Sequence, residues 1–265
     1  MTEETWSQPI TKIEPNKVAV RGYCIDELMG KIPFAHVAYL VLRGELPTPA
    51  VGRVMDAILV SSVDHGATPP SCLAARTVAS GGAPLTAGIA AGIMTINRHH
   101  GGAIEDAMRM LLAAVARKRE KGQEAIACAR EIVVEWKAQK KRLPGYGHRV
   151  HTDDPRTKKL FAICAEEGVA GEYVEMGQAL RQAMLESSGK DLPMNVDGAI
   201  AAVLCELGFA PEMGNGLFAI SRVVGLTAHV FDEITAQRPM RQISPTAQAY
   251  NGPEERTLPT AEVKR

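Results

Sequence analysis

The chain has 265 residues, which is enough for one large domain or two modest ones. Its 30 basic residues balance 30 acidic residues, which argues against nucleic acid or an anionic membrane as the main partner. No uncharged apolar stretch approaches the roughly 18 residues that a membrane span needs, and the N-terminus lacks the pattern of a secretory signal. The five cysteines are widely spaced and include no C-x-x-C pair, so we expect reduced thiols, a cytoplasmic location and no metal site.

The first hundred residues predict a short lead-in arm followed by helices. Alternation over residues 17–21 favours a strand within the arm. A helix is predicted over residues 33–44, where a proline stands at the start and a glycine at the end. The next helix, over residues 50–60, has Thr48 as its predicted N-cap. Residues 71–96 are mostly small and are divided by a Gly-Gly pair, which predicts closely packed helices or a subunit contact.

The remainder of the chain repeats apolar residues at the helical period, and strand alternation is nearly absent. Further helices are predicted over residues 104–119, 123–138, 155–167, 171–187, 199–207 and 215–235. For the helix over residues 155–167, Asp153 or Asp154 is the expected N-cap and Pro155 the first helical residue. The pattern therefore predicts an all-α fold.

One short segment, residues 143–156, combines three kinds of chemistry. Gly145 and Gly147 allow backbone N–H groups to approach a ligand closely. His148 can move a proton near neutral pH. Arg149 and Arg156 can hold a carboxylate or a phosphate by forked hydrogen bonds. The alternative is a Gly-Pro turn that leads into a capped surface helix.

Titratable residues stand at several breaks between predicted helices, at His65, His100, His148 and Asp197. In an all-helical chain such positions can converge on one cleft. A reaction that suits this set without a metal is proton transfer beside a carbonyl, in which a carboxylate takes the proton from carbon and histidines meet the oxygens. The alternatives are loop histidines and an N-cap role for Asp197.

Three arginines outside the basic clusters could neutralise a substrate that has several carboxylates: Arg156, Arg222 and Arg238. Alternatively, Arg222 pairs with an acid in the core and Arg238 is a solvated residue of the tail. His36 and His229 fall within helical patterns and are interpreted as structural.

At these residues the chain resembles the citrate synthase superfamily, and the resemblance covers most of its length. The motifs that recur in the order of that family are Arg21-Gly-Tyr, Asp64-His65, His100-Gly101, Pro144-Gly-Tyr-Gly-His148, Asp154-Pro-Arg156, Asn195-Val-Asp197, Ser221-Arg222 and Arg238-Pro239. The resemblance implies an almost wholly helical fold with a large domain, residues 1–103 and 209–265. A smaller domain, residues 104–208, is inserted into it and closes over the substrates.

The resemblance also implies roles for individual residues. Asp197 exchanges the methyl proton of the acetyl thioester, His100 stabilises the enol, and His148 handles the carbonyl oxygen of oxaloacetate. The residues expected to bind substrate carboxylates are His65, Arg149, Arg156, Arg222 and, across a dimer interface, Arg238. The residues expected to lie against coenzyme A are Pro144, Gly145, Tyr146, Gly147 and Val150.

Within the superfamily the chain is most similar to citryl-CoA lyase, including the C-terminal lyase module of ATP-citrate lyase, because both lack the long N-terminal helical part. His100 is the exception, since lyase modules commonly carry an aromatic residue there and synthases a histidine. We therefore expect a homodimeric or larger enzyme that converts citryl-CoA, acetyl-CoA and oxaloacetate without a bound cofactor or metal. The alternatives are a short citrate or 2-methylcitrate synthase and a non-catalytic regulatory subunit that binds CoA or carboxylates. A separate ligase chain could make the citryl-CoA.

Overall fold

The computed structural model describes residues 7–97, 100–101, 103–147, 154–242, 247 and 249–256. An antiparallel sheet at the N-terminus has the strands β1 Thr11–Glu14, β2 Lys17–Val20 and β3 Tyr23–Cys24. The first helices are α1 Ile25–Leu28, α2 Phe34–Arg43, α3 Pro49–Ser61, α4 Pro70–Ser80 and α5 Leu85–Met94. They are followed by α6 Ala103–Lys121, α7 Ala125–Ala138, α8 Pro155–Glu166, α9 Glu172–Ser188, α10 Val196–Glu206 and α11 Glu212–Ala236.

The all-α prediction is incomplete in the N-terminal arm. The predicted strand is β2, and it pairs with β1 on one side and β3 on the other. Glu14 and Lys17 face each other across Pro15 and Asn16, and Asn16 has a φ of 60°. Proline followed by a residue of positive φ is typical of a type II turn, which reverses the chain within two residues.

The predicted helices are confirmed, and local signals set several of their ends. Gly44 ends α2 in a left-handed conformation with a φ of 93°. The hydroxyl of Thr48 accepts a hydrogen bond from the N–H of Val51 at 3.3 Å and caps α3. Asp154 caps α8, where Pro155 is the first helical residue.

Small residues let α4, α5 and α11 approach one another closely, as the sequence predicts. A Cβ at Gly92 of α5 would lie only 2.8 Å from the carbonyl oxygen of Ser71 on α4. A Cβ at Gly88 would lie 3.1 Å from the side chain of Val230 on α11. The residues buried between these helices form a small core of their own: Cys72, Ala75, Ala79, Leu226 and Val230.

The larger core surrounds α10, which packs against α6, α8 and α9. Every residue of α10 from Gly198 to Cys205 is buried. The helix begins at Val196, three residues before the predicted start, and the side chain of Asn195 caps it by accepting from the N–H of Gly198 at 3.1 Å. The N-cap interpretation of Asp197 is therefore wrong, because Asp197 lies inside the first turn.

Candidate active site

The glycine-rich segment at residues 144–147 lies directly on the first turn of α10. Gly145 has a φ of 81°, and a Cβ there would lie 2.6 Å from the Cα of Gly198. The backbones approach this closely because neither residue has a side chain. Asp197 precedes Gly198, so the contact holds residues 144–147 against the helix turn that carries Asp197.

Hydrogen bonds fix the same segment. The N–H of Asn195 donates to the carbonyl of Gly145 at 3.0 Å, and its side-chain amide donates to the carbonyl of Gly147 at 3.0 Å. The hydroxyl of Tyr146 donates to the carbonyl of Gly177 on α9 at 2.7 Å, and burial raises the pKa of that phenol. Pro144, Gly145, Tyr146 and Gly147 therefore form one rigid edge of the site. The other predicted residues of this segment, His148, Arg149 and Val150, lie outside the described residues.

Asp197 is half-buried, and opposing influences act on its carboxyl group. Burial raises its pKa above the ordinary value, and nearby Asp154 raises it further. The positive charges of Arg156 and Arg222 lower it, but burial prevails. Arg156 is held by Asp154, whose buried carboxylate accepts from Nε at 3.0 Å and from Nη2 at 2.8 Å.

Arg222 is almost fully buried on α11. Its Nε–H donates to the carbonyl of Ser62 at 3.0 Å, and its guanidinium lies 4.7 Å from the centre of the Phe218 ring. Burial lowers its pKa, and the negative charges of Asp64 and Asp197 act against that effect. The acids thus act on Arg222 through space, while its hydrogen bond goes to a carbonyl at the end of α3.

His100 lies in a tight turn, where its backbone exchanges two hydrogen bonds with Asn97. Its Nε2 is hydrogen-bonded to the hydroxyl of Ser71 on α4 at 2.8 Å, and its ring meets Phe218 edge-on at 6.0 Å. Burial lowers the pKa of His100, and the charges of Arg222 and His65 lower it further. The imidazole is therefore held neutral at neutral pH, the form in which one ring nitrogen carries a proton and the other accepts one.

His65 is exposed in the loop that follows α3, and its neighbours fix that loop. The carboxylate of Asp64 accepts from the N–H of Gly66 at 3.0 Å and pairs with Nε2 of His229 on α11 at 3.0 Å. Burial alone would raise the pKa of Asp64, but its hydrogen bonds and His229 together lower it. A Cβ at Gly225 would lie 2.5 Å from the carbonyl of Val63, so α11 also holds the loop by close approach.

Five of the predicted residues thus share one electrostatic network: His65, His100, Arg156, Asp197 and Arg222. Arg238 is exposed beyond the end of α11. The charges that shift the pKa values of Asp197 and His100 do not include that of Arg238. The structure therefore brings Arg156 and Arg222 to the site but leaves Arg238 outside it within one chain.

Two residues of the site were not predicted. Phe218 contacts both His100 and Arg222, and its position four residues before Arg222 on one helix face is a signal that could have identified it. Ser71 is fully buried and holds His100. Its separation of 29 residues from His100 leaves no local signal.

A cavity of about 590 Å³ opens beside the glycine-rich segment. It is lined by Asp106, Arg109, Met110, Trp136, Lys141, Arg142 and Pro144.

Across the described ranges, no three His, Cys, Asp or Glu residues cluster so that they could hold a metal ion. None of the helices in that part of the chain is long and apolar enough to cross a membrane.

The chain is similar to several known proteins. A citryl-CoA lyase structure from Hydrogenobacter thermophilus is 41% identical, with a TM-score of 0.88 over 96% of this chain and 97% of that one. The ATP citrate lyase of Methanosaeta concilii in complex with (3S)-citryl-CoA is 22% identical, with a TM-score of 0.82 over 96% of this chain and 43% of that one. This second likeness concerns the fold alone.

A citrate synthase from Saccharolobus solfataricus is 34% identical over 83% of this chain and 57% of its own length. The chain thus spans little more than half of that relative. The family model described as citrate synthase, C-terminal domain, matches residues 47–243, a range that contains every charged residue of the network. The chain therefore belongs to the citrate synthase family.

Proposed function

We propose that the protein is a citryl-CoA lyase, which reversibly cleaves citryl-CoA to acetyl-CoA and oxaloacetate. The observation that carries the proposal is the half-buried carboxyl of Asp197, whose raised pKa favours the acid form beside two arginines. A similar chain of nearly the same length is named citryl-CoA lyase, which supports the same reaction.

In the cleavage direction, His148 accepts the proton of the tertiary hydroxyl group of citryl-CoA. The carbon–carbon bond then breaks, and its electron pair forms the enolate of acetyl-CoA while the alkoxide becomes the keto group of oxaloacetate. Asp197 donates its proton to the enolate carbon, which completes the methyl group and leaves Asp197 as a carboxylate. His100, held by Ser71 and kept neutral by burial, donates a hydrogen bond to the enolate oxygen.

Cationic residues would hold the carboxylates of the substrate. Arg156 and Arg222 are both close enough to Asp197 to shift its pKa, so a carboxylate bound to them would lie beside the acid. His65 and Arg149 complete the set within the chain. Arg238 would join it from the partner subunit of a homodimer. The arginines are suited to this role because a guanidinium binds a carboxylate by two parallel hydrogen bonds.

Coenzyme A would lie along the edge formed by residues 144–147 and continue to Val150. The cavity beside Pro144 supports this assignment, because Lys141 and Arg142 supply positive charge for phosphates. Trp136 supplies a flat apolar surface for the adenine ring. The thioester is a substrate, and the proposed reaction requires neither a resident cofactor nor a metal ion.

Exposed apolar side chains on two helices that pack together support the homodimer or a larger assembly. The large apolar side chains exposed on α4 and α11 are Leu73, Val78, Val224, Phe231 and Ile234. Such side chains grouped on helices that pack together are typical of a subunit interface. A shared site would bring Arg238 of one chain to Asp197 of another.

We also propose that the chain has two domains, a large one of residues 1–103 and 209–265 and a small one of residues 104–208. Helices α6 to α10 pack largely among themselves, as do α4, α5 and α11. Arg53 of α3 pairs with Glu167 after α8, and Arg43 donates to the carbonyl of Gly208 at 2.7 Å, so polar contacts join the two groups. Closure of one group on the other would exclude water from the enol.

We also assign the protein to the cytoplasm, where a separate ligase would supply citryl-CoA.

A citrate or 2-methylcitrate synthase is the second candidate. It is favoured by His100, since a histidine at that place is the synthase pattern, and by the relative named citrate synthase. A synthase hydrolyses citryl-CoA to free citrate and CoA, whereas a lyase stops at the thioester. A non-catalytic subunit that binds CoA or carboxylates would do neither.

The test is to incubate the protein with citryl-CoA, and separately with acetyl-CoA and oxaloacetate, and to follow products by mass spectrometry. Asp197→Asn, which keeps the shape but cannot protonate carbon, is the matched control. Acetyl-CoA and oxaloacetate from the first mixture, without free citrate, support the lyase. Free citrate from the second would make the protein a synthase. Bound CoA with no product in either mixture would refute catalysis of this reaction.

A further inference from the structure

The segment that carries Arg238 is fixed at both of its ends. Gln237 is the C-cap of α11. Three residues later, the N–H of Met240 donates to the carbonyl of Ser80 at the end of α4, at 2.8 Å. The N–H of Arg241 donates to the hydroxyl of the same serine at 3.3 Å. The backbone on either side of Arg238 is therefore held between two helices.

A buried ion cluster provides the second attachment. Glu233 lies on the last turns of α11 and is 2% exposed. Its carboxylate accepts from Nε of Arg76 on α4 at 2.6 Å, and from Nε and Nη2 of Arg241 at 2.8 Å and 2.5 Å. The bond from Arg241 lowers the pKa of Glu233 despite burial, so the group stays ionised. The cluster ties the helix, α4 and the segment after α11 together.

We infer that Glu233, together with Arg76 and Arg241, positions Arg238. The cluster fixes the backbone from which the Arg238 side chain extends toward the partner subunit. The inference rests on the proposed function, in which Arg238 binds a substrate carboxylate in the partner's site. An exposed arginine has many rotamers, so the entropy lost on binding is large unless its backbone is already placed. The cluster supplies that placement without touching the substrate.

The first variant is Arg241→Gln, because it removes the ion pair between the segment and Glu233 while Arg76 still pairs with the buried carboxylate. Arg117→Gln is the matched control, since Arg117 also bonds two carboxylates, Glu131 and Glu135, but between α6 and α7. For Arg241→Gln we expect about a tenfold or larger rise in the KM for oxaloacetate in citryl-CoA synthesis, with the KM for acetyl-CoA unchanged. The control should keep wild-type values for both.

Mixed dimers separate positioning of Arg238 from a general structural effect. In the mixed dimer, one subunit carries Arg241→Gln and the other carries Asp197→Ala. The site of the Arg241→Gln subunit then combines its own intact Asp197 with Arg238 of the other subunit, whose ion cluster is intact. That site should regain wild-type kinetics, so that the isolated mixed dimer recovers about half of the wild-type activity. The same mixture made with Arg238→Ala in place of Arg241→Gln tests the shared site itself.

The outcomes are distinct. Recovery with both variants supports the inference. Recovery with Arg238→Ala but not with Arg241→Gln would leave the shared site standing and overturn the positioning role, because the defect would then act within its own subunit. No recovery with Arg238→Ala would overturn the shared site and with it the role of the cluster. Glu233→Gln gives a second test, and its unfolding followed by circular dichroism shows whether the variant is folded. If the cluster acts only by positioning Arg238, adding Glu233→Gln to Arg238→Ala should cause no further loss of activity.

Discussion

The contact between Gly145 and Gly198 gives the sharpest test of how the site is built. Replacing Gly145 by alanine adds a methyl group 2.6 Å from the Cα of Gly198, far inside the 3.5–4.0 Å at which carbon atoms pack. It also forces a residue with a side chain into the left-handed region, because Gly145 has a φ of 81°. Gly147→Ala is the matched control, since its φ of 85° is similar but nothing lies within 4 Å of the added methyl.

The two effects can be estimated separately. Left-handed backbone costs an alanine roughly 1–2 kcal/mol. Forcing a methyl into a filled contact costs a further ~1–3 kcal/mol. We therefore expect Gly147→Ala to lower the free energy of unfolding by roughly 1–2 kcal/mol and Gly145→Ala by about 2–5 kcal/mol. Gly198→Ala meets the same contact from the helix side, where alanine gains up to ~1 kcal/mol of helix propensity.

Urea unfolding followed by circular dichroism measures the free energy of unfolding of each variant. The rate of citryl-CoA cleavage measures its kcat/KM. If residues 144–147 lie on the first turn of α10, then both Gly145→Ala and Gly198→Ala should lower kcat/KM well below that of Gly147→Ala. Each of the two substitutions would move residues 144–147 away from Asp197. Equal stability and equal activity of Gly145→Ala and Gly147→Ala would refute the close contact and the site built on it.

Three further predictions concern the charged groups. Asp197→Ala should abolish turnover yet leave the affinity for CoA, measured by calorimetry, within about tenfold, or ~1.4 kcal/mol; wild-type-like turnover would remove the residue from the reaction. Ser71→Ala should lower kcat by about tenfold or more through loss of the orientation of His100, with Ser71→Thr restoring part of it; an unchanged kcat would contradict that role. Arg156→Gln removes a cation that lowers the pKa of Asp197, so in the pH profile of kcat/KM the limb that reports Asp197 should move to higher pH. A shift to lower pH would contradict the predicted interaction.

Much of the helical fold could be predicted, because its boundaries depend on residues next to each other in the chain. Gly44, Thr48 and Asp154 act within one turn of the helix ends that they define. The start of α10 was less certain, since Asn195 and Asp197 are both good capping residues and only the fold decides between them. In the N-terminal sheet β2 was predicted, but β1 and β3 were missed because strands of two to four residues show little alternation.

The members of the site could be predicted by residue type and order, but their environments could not. Nothing near His100 in the sequence indicates that Ser71 holds its ring or that Arg222 contributes to its low pKa, because both lie on other helices. Likewise, the raised pKa of Asp197 comes from burial by α10 and its neighbours, a tertiary property. The positions of helix breaks could therefore suggest the chemistry, while packing decides which protonation state each group adopts.

The balance at Asp197 also links substrate binding to acid chemistry. In the free chain, burial raises the pKa of this carboxyl while Arg156 and Arg222 lower it. When a substrate carboxylate binds these arginines, its negative charge offsets theirs, and the opposition to burial is reduced. We therefore expect Asp197 to be a weaker acid in the substrate complex than in the free protein, and so to keep its proton until the enol forms. The same arginines would then both hold the substrate and prepare the acid that completes its cleavage, which explains why a buried carboxyl and two cations occur so close together.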